Sequence, residues 1–338
     1  MTKTIIAHGV MALFLTSTAV TAQQTNYPLT IANCGFDLTF DGPPENTVAL
    51  GQSTTELLYL LGLGDRVSGT AVWFNPVLPQ FKTLNDGIER LADNDPSFES
   101  VVNKKPDLVT VMYEWHVGPE GMVGTREMFH DLGVPTYVMP TDCESKNNLV
   151  GLDGTRSELF ATEQLYRSIT QLSEIYDVQG KGAALVAALQ ESEAKAIEKA
   201  QKLNLPKDTS GLFWFSSADM DVDPYVAGQK GVPAYMMDKL GVKNVVNSDE
   251  EWPTVGWETL AKADPDFIVI AQMERRRFPA DDVEKKREFL MNDPVAREMT
   301  AVKQGRIITI DAHATSPTAR AVYALDQLAD ALAGFDLK

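Results

Sequence analysis

The chain contains one unusually long helical pattern, residues 177–205, just past its middle. Leu185, Leu189 and Ile197 recur near helical spacing, and charged side chains occupy much of the remainder, which is typical of a largely solvated helix. Pro206 ends the pattern, because its ring clashes with the preceding turn and it has no N–H group. A helix of about 24 residues is roughly 36 Å long. That length suits either a surface helix of one domain or a strut between two lobes.

A repeated pattern on the two sides of this helix favours the strut. Glu99 and Glu258 are each followed, seven residues later, by a Pro-Asp pair and then by an apolar run typical of a buried strand. Short strands also alternate with helices in both halves, as in parallel, doubly wound sheets. We therefore predict an α/β fold with two doubly wound lobes joined by a single long helix. The predicted segments are 23–176 for the first lobe, 177–205 for the helix and 206–338 for the second lobe.

Residues 1–22 have the features of an export signal. Lys3 precedes a short apolar run, and small residues precede Gln23. The apolar run is too short to span a bilayer, and no cysteine stands at the predicted cleavage point to carry a lipid anchor. We therefore predict a cleaved signal peptide and a soluble protein in a bacterial periplasm.

The strongly acidic composition limits the partners of the exported protein. The formal net charge is −17, and removal of Lys3 with the signal takes it to −18. A chain this acidic repels nucleic-acid phosphates and anionic membrane surfaces. We therefore predict that it binds neither nucleic acid nor a membrane surface.

The chain has two cysteines, Cys34 and Cys143. In an oxidising compartment an even number of cysteines is typically paired, so we predict a disulfide between them. The alternative is two unrelated buried thiols. A zinc site is disfavoured, because neither cysteine belongs to a C-x-x-C pair.

Several fragments, taken in order, resemble the periplasmic binding proteins that deliver iron–siderophore complexes, haem and cobalamin to ABC importers. The resemblance covers essentially the whole chain after the signal and includes both Glu…Pro-Asp repeats. Its other fragments are Pro-Pro-Glu45-Asn46-Thr-Val-Ala, Ser53-Thr-Thr-Glu56-Leu-Leu and Leu61-Gly-Leu-Gly64-Asp65-Arg-Val. In that family one long helix joins the lobes and limits their closure on the ligand.

The resemblance implies the solute-binding component of an ABC importer, with a permease dimer of the inner membrane as its partner. It implies a metal chelate as cargo, with a ferric siderophore as the first choice and haem or cobalamin as alternatives. It also implies a monomer with no cofactor of its own. Glu99 and Glu258, one on each lobe, would meet arginines of the two permease subunits. Alternatively, each begins a helix beside the positive end of its dipole.

Candidate ligand contacts lie in the loops that follow the strands, because ligands of open parallel sheets bind beyond the carboxyl ends of the strands. Aromatic side chains there offer flat apolar surface to the organic shell of a chelate, and arginines offer charge and several donors. Each of these residues could instead pack or be solvated. The candidates are Trp73, Tyr113, Trp115 and His116 from the first lobe, and Tyr225, Trp252, Arg275, Arg276, Arg277 and His313 from the second.

Three adjacent arginines in so acidic a chain point to an anionic cargo. Adjacent side chains cannot all face one way, so we expect one or two of them to reach the ligand. The others are expected to face solvent or to pair with acids such as Asp281 and Asp282. The alternative is a solvated basic turn.

Two histidines leave a metal site as an alternative. His116 and His313 follow strands of different lobes and could together hold a divalent metal or a haem iron. Metal receptors of similar fold use three or four ligands, however, and His130, the one other histidine after the signal, falls in a predicted helix.

The chain has no G-x-S-x-G, phosphate-loop or H-E-x-x-H motif, so we predict that it is not an enzyme. Asp221 and Asp223 are best explained by a polar turn.

Overall fold

Two separate sheets, one in each half of the chain, organise the fold. The computed structural model describes residues 24–151, 153–275 and 277–337, so the predicted signal at 1–22 lies outside the described residues. In the first half the strands are β1 Leu29–Asn33, β2 Phe36–Phe40, β3 Thr47–Leu50, β4 Val67–Ala71, β5 Glu89–Ala92, β6 Leu108–Val111, β7 Thr136–Val138, β8 Lys146–Asn147 and β9 Thr155–Arg156. The helices there are α1 Gln52–Leu60, α2 Lys82–Asp86, α3 Phe98–Val102, α4 Arg126–Asp131 and α5 Thr162–Ile175.

The second half repeats this alternation after the long helix α6, Gln179–Lys202. Its strands are β10 Ser210–Ser216, β11 Tyr225–Val226, β12 Lys243–Asn244, β13 Phe267–Gln272 and β14 Ile307–Asp311. Its helices are α7 Val232–Leu240, α8 Trp257–Ala263, α9 Val283–Asn292, α10 Thr300–Lys303 and α11 Ala319–Ala333.

The two sheets are predominantly parallel. The first has the order β5-β4-β3-β6-β7, and every neighbouring pair in it is parallel. The second has the order β11-β10-β13-β14, in which β11 is antiparallel to β10, and β12 also pairs with β10 in parallel. The predicted pair of α/β lobes joined by a long helix is therefore confirmed.

Each sheet is buried on both faces, as expected for a doubly wound lobe. Successive side chains of a strand point to opposite faces. In β13, Ile268 and Ile270 pack in one apolar cluster, while Phe267 and Val269 pack in another. All four side chains are fully buried. The sheets therefore carry helices on both sides, and the ends of the strands are left as the place where polar groups can meet a ligand.

Helix α6 runs from one apolar core to the other. Leu189 packs in the core of the first lobe, whereas Ala196 and Ala200 pack in that of the second. Much of the remaining helix surface is charged, with i,i+4 ion pairs such as Lys195–Glu191. The predicted strut is thus confirmed, and it ends at Lys202, two residues before Asn204, which has a positive φ of 48°.

Glu193 connects α6 to both lobes. Its carboxylate accepts hydrogen bonds from Thr162 Oγ1 at 3.1 Å and Tyr166 Oη at 2.5 Å, both on α5. It also accepts one from the hydroxyl of Tyr235 on α7. A side chain in the middle of the strut therefore fixes one helix of each lobe.

The C-terminal helix α11 also contacts both lobes. Ala319 and Val322 belong to the apolar core around the first sheet, while Leu325 and Leu328 belong to that around the second. Lys199 of α6 pairs with Asp326 at 2.6 Å, so the two helices are also joined on their exposed side. The first lobe is consequently completed by residues that the sequence-based division assigns to the second.

The two cysteines of the chain are bonded to each other. The Cys34–Cys143 disulfide is present, with the two Cα atoms 5.7 Å apart, so the predicted disulfide is confirmed.

The sequence pattern also predicts a helix over residues 154–176, but the helix begins only at Thr162, and the residues before it lie against the second lobe. Across the described part of the chain, no helix combines the length and apolarity needed to cross a membrane.

Candidate ligand site between the two lobes

The loops that follow the strands of the two sheets meet each other directly. Asn75, just after β4, donates through Nδ2 to Gln272 O at 2.9 Å and to Asp311 Oδ1 at 2.5 Å. The backbone N–H groups of Glu274 and Arg275 donate to Phe74 O at 3.0 and 3.1 Å. The carboxyl ends of β13 and β14 therefore face the carboxyl end of β4, as expected for a site between two open sheets.

A polar network joins the lobes beside these loops. Arg320, at the start of α11, donates through Nε to Glu56 Oε2 of α1 at 2.9 Å and pairs through Nη1 with Asp311 at 2.5 Å. Ser53 Oγ donates to Pro317 O at 3.3 Å. Glu56 is almost fully buried, and Arg320 supplies the opposite charge that a buried carboxylate requires. These contacts hold the two sets of loops in register.

An apolar group, here called the cleft cluster, lies where the loops meet. Phe74 is its centre, with the rings of Phe215 at 6.3 Å and His313 at 5.8 Å. The guanidinium of Arg275 lies 4.2 Å from the centre of the Phe74 ring, within cation–π range. The members of the cleft cluster are Phe74, Ala271, Met273 and Ala312, with the half-buried Tyr113 and Phe215 packed against them.

Arg275 is the predicted arginine that the structure brings to this group. Its Nη1 donates to Asn94 Oδ1 at 3.1 Å, and its buried Nε has no hydrogen-bond partner among the described residues. Burial lowers the pKa of its guanidinium. Arg275 therefore presents a partly desolvated cation that still has donor capacity, which is the property expected of a ligand-binding arginine.

The other two arginines are placed differently. Arg277 is exposed, and its guanidinium lies 5.6 Å from the centre of the Phe278 ring. Arg276 lies outside the described residues. Asp281 is buried and accepts from the backbone N–H of Arg277 at 2.7 Å and from Ser216 Oγ at 2.6 Å, so it holds the loop through the backbone. Asp282 accepts from the Glu284 N–H at 2.9 Å and caps α9.

The aromatic candidates of the first lobe divide into two groups. Tyr113 Oη is hydrogen-bonded to Ser316 Oγ at 3.2 Å, across the lobes. Trp115 is half-buried, stacks on His116 at 4.2 Å and lines an open cavity of about 390 Å³. Trp73, by contrast, is 2% exposed and donates through Nε1 to Thr70 Oγ1 at 3.2 Å, so it belongs to the core of the first lobe.

The aromatic candidates of the second lobe form two half-buried pairs. Trp252 lies 4.9 Å from Phe215, and Tyr225 lies 6.1 Å from Phe278. Through Phe215, Trp252 is continuous with the cleft cluster. Flat apolar surface and arginine therefore occur together on this lobe.

The two histidine candidates are fully buried. His116 Nδ1 lies 3.1 Å from Tyr113 O, and its Nε2 lies 3.3 Å from Asp95 Oδ1. Contact with His116, followed by the charges of Arg277 and Arg275, lowers the pKa of Asp95 against the opposing effect of burial. Neither ring nitrogen of His313 has a hydrogen-bond partner in the described part of the chain, and burial lowers its pKa well below 6.5.

The metal alternative is not supported by this arrangement. Within residues 24–151, 153–275 and 277–337, no three His, Cys, Asp or Glu side chains converge to hold a metal ion. His116 instead contacts Asp95 and Trp115, and His313 stacks on Phe74. The two histidines, which the sequence left as an alternative pair of metal ligands, therefore contact different neighbours.

Several residues of the site were not predicted from the sequence. Phe74 and Asn75 immediately follow the predicted candidate Trp73, and Phe215 lies near the end of β10. Lys286 is fully buried under the loops, where its Nζ donates to Phe215 O and, at 2.6 Å, to Ala271 O. A lysine in a charged helix carries no sequence signal for such a role, because its partners are backbone carbonyls 71 and 15 residues away.

Glu99 and Glu258 occupy equivalent places on the two lobes. Glu99 lies in the first turn of α3 and Glu258 in the first turn of α8, and both are exposed. No hydrogen bond or ion pair of either side chain occurs among the described residues. Both carboxylates are therefore available to a partner.

Comparison with known proteins relates the chain to transport proteins. The family model described as periplasmic binding protein matches residues 47–314. The uncharacterized ABC transporter substrate-binding lipoprotein YvrC of Bacillus subtilis is 25% identical over 308 residues, covering 90% of this chain and 86% of YvrC. A periplasmic binding protein of Veillonella parvula is 25% identical with a TM-score of 0.74, covering 91% of this chain and 98% of its own. An ABC-type Fe³⁺-hydroxamate transport system protein of Saccharomonospora viridis is 25% identical with a TM-score of 0.73, covering 90% and 99%.

Proposed function

Because the chain belongs to the periplasmic binding protein family, we propose that it is the solute-binding component of an ABC importer and that it carries a ferric siderophore. The similarity to the Fe³⁺-hydroxamate transport protein supports an iron chelate as the cargo. The export signal predicted at residues 1–22 is consistent with action in the periplasm. Members of this family belong to transport systems, so the proposed role is binding and release.

The observation that carries the cargo proposal is the position of Arg275. Its guanidinium lies against Phe74 at the meeting point of the lobes, with one buried N–H unpartnered among the described residues. Arg277 lies two residues further on and is exposed. Two cations at the carboxyl ends of the strands, in a chain of net charge −17, favour an anionic ligand.

The aromatic residues supply the apolar part of the proposed contact. A ferric siderophore has an organic shell around a charged oxygen-rich centre. Trp115, Tyr225 and Trp252 are half-buried and offer ring faces to such a shell. We propose that the arginines contact oxygens of the chelate and that the rings cover its organic part. Trp73 has no place in this contact, because it lies in the core.

A binding screen tests this proposal. Purified protein is titrated with ferric hydroxamate, catecholate and citrate-type chelates, with haem and cobalamin as the alternative cargoes, and tryptophan fluorescence is followed. With the chelate that binds, Arg275→Ala is expected to weaken binding about tenfold to a hundredfold, because a charge-assisted contact contributes roughly 1.5–3 kcal/mol. Arg297→Ala removes an exposed arginine elsewhere and should leave the affinity unchanged.

Two outcomes would contradict the proposal. Unchanged affinity in both Arg275→Ala and Arg277→Ala would remove the arginines from the site. Tight binding of a neutral or cationic cargo would contradict the inference that the ligand is anionic. Direct haem ligation through His116 or His313 would require a ring that is fully buried here to turn outward.

We further propose that Glu99 and Glu258 contact the permease. The support is their equivalent position in the two lobes, their exposure and the lack of any ion pair to them in the described part of the chain. One carboxylate on each lobe suits a partner with two similar subunits. The alternative role, a favourable charge at a helix N-terminus, requires no partner.

A further inference from the structure

Residues 141–151 and 153–161, here called the strap, run from the end of the first sheet to α5 and lie against the second lobe on the way. The Glu251 N–H donates to Gly154 O at 3.0 Å, and the Phe160 N–H donates to Lys230 O at 2.7 Å. Thr155 also forms an antiparallel bridge with Glu250. The chain of the first lobe is therefore hydrogen-bonded through its backbone to the second lobe, in addition to the connection through α6.

The beginning of the strap is covalently fixed to the first lobe. Cys143 is bonded to Cys34, which lies in the turn between β1 and β2. That turn is held in place by the buried Arg126, whose Nη1 donates to the carbonyl oxygens of Asn33 and Cys34 at 3.0 Å each. The Asn33 side chain donates to Val138 O of β7 at 2.7 Å. The strap is thus anchored to the edge of the first sheet through the disulfide.

A buried ion cluster fixes the strap to the second lobe. Lys146 Nζ lies 2.6 Å from Asp142 and 2.8 Å from Glu251, and Arg156 Nε lies 2.9 Å from Glu251. Arg156 Nη2 donates to Thr141 O at 2.8 Å. All four charged side chains are at most 8% exposed. Among these, Glu251 is the one from the second lobe, and its carboxylate pairs with both cations.

We infer that Glu251 is a positioning residue that couples the strap to the second lobe, and that the strap and its disulfide limit how far the lobes separate. Breaking a buried ion pair leaves an uncompensated charge, so the contact resists opening strongly. Its consequence for cargo exchange rests on the proposed function. Separation of the lobes would otherwise be limited by α6 and by the contacts between the strand-end loops.

Hydrogen–deuterium exchange of the ligand-free protein tests the coupling. In Glu251→Gln, the backbone amides at positions 251 and 160 are expected to exchange about a hundredfold faster, because their acceptors, Gly154 O and Lys230 O, lie across the lobes. The amides of β3 and β13 should keep their exchange rates. Glu250→Gln is the matched control, since it makes the same charge change at the neighbouring residue, and Glu250 has no ion pair in the described part of the chain. It should leave all of these rates unchanged.

A second variant tests the anchor without touching the ion cluster. Cys34→Ser with Cys143→Ser is expected to speed exchange of the same two amides and to raise both the association and the dissociation rate of a ferric trihydroxamate probe. Uniformly faster exchange, including β3 and β13, would mean that the disulfide acts only on overall stability and would overturn the inference. Unchanged exchange of the amides at positions 251 and 160 in a folded Glu251→Gln variant would also overturn the inference. If no chelate binds, the proposed function fails while the exchange result still decides the coupling.

Discussion

The buried surroundings of His313 lower the pKa of its side chain. It is fully buried, stacks on Phe74 and has no hydrogen-bond partner for either ring nitrogen among the described residues. Burial, and then the charge of Arg320, lowers its pKa well below 6.5. The ring is therefore neutral in the folded protein, whereas in the unfolded chain it takes up a proton near pH 6.5. This difference couples its protonation to folding.

We expect His313 to make the protein less stable as the pH falls below about 6.5. A group with a lowered folded pKa contributes stability that is present above its unfolded pKa and is lost as the pH falls toward its folded pKa. The contribution changes by up to about 1.4 kcal/mol per pH unit. Urea denaturation at pH 7, 6 and 5 measures the free energy of unfolding. This free energy should fall less steeply with decreasing pH in His313→Leu than in the unchanged protein.

The comparison variant for this measurement is His130→Leu. Burial and the charge of Arg126 also lower the pKa of His130. His130→Leu should therefore lose the pH dependence of the unfolding free energy that His130 contributes and keep the pH dependence that His313 contributes. A pH dependence of His313→Leu equal to that of the unchanged protein would contradict the assignment.

At this scale the sequence predicted residue types near the site better than their roles. Tyr113, Trp115 and Arg275 lie at strand ends, as predicted from the apolar runs that precede them. Trp73 was predicted to contact the ligand but packs in the core of the first lobe, and its neighbour Phe74, for which no role was predicted, lies in the cleft cluster instead. Which of the two meets the second lobe depends on contacts with residues about 200 positions away, and local pattern does not contain that information.

At the scale of elements, α6 is held to both lobes by Glu193. Tyr166, Tyr235 and Thr162 all donate to its carboxylate, and the tyrosines lie on α5 and α7. Burial, together with this carboxylate, raises the pKa of both tyrosines, which keeps them protonated as donors. A single charge therefore organises three helices.

We expect Glu193→Gln to destabilise the protein by about 1.5–3 kcal/mol, because the hydrogen bonds from three hydroxyl groups to a charged acceptor are replaced by weaker ones to a neutral amide. The free energy of unfolding in urea measures the change. Glu191→Gln, two residues earlier on the same helix, is the control, because Glu191 is exposed and pairs only locally with Lys195. Equal effects of the two variants would rule out a special role for Glu193.

Periodicity was enough to predict α6, because a long helix repeats one local pattern and Pro206 marks its end. It was not enough for residues 154–161, which were predicted as helix and form part of the strap. Their partner Glu251 lies 95 residues from Arg156 in the chain, so a local pattern does not contain this contact. Tertiary contacts of this kind override weak helix propensity.

At the scale of the whole molecule, the two lobes present the exposed carboxylates of Glu99 and Glu258 at equivalent positions. Replacing both Glu99 and Glu258 with Arg is expected to abolish uptake of the chelate by cells while leaving its affinity for the purified protein unchanged, because the charges would repel arginines of the permease. Uptake of radiolabelled iron chelate and equilibrium titration measure the two quantities.

Glu127→Arg provides a matched control for this experiment. Glu127 is exposed in the first turn of α4, so its replacement reproduces the change at a helix N-terminus without touching the repeated pair. Uptake should persist in this variant. Loss of affinity in the Glu99 and Glu258 double variant would place these residues at the cargo site and contradict a docking role.

The repeat around α6 was sufficient to predict two lobes, because each lobe carries its own helix, Pro-Asp break and buried strand. It could not predict how the lobes meet. Asn75 and Asp311 are 236 residues apart and belong to loops without a repeating pattern. The contacts of the cleft therefore emerge only once both sheets are in place.

The position of α11 has a consequence for the order of assembly. Ala319 and Val322 fill part of the core around the first sheet, although they come from the last helix of the described chain. During synthesis, the strands of the first lobe emerge long before these residues do. Their apolar surface stays incompletely covered until α11 arrives. The first half of the protein therefore cannot complete its core before the last helix of the described chain is made, and neither can the second half, whose core contains Leu325 and Leu328 of the same helix.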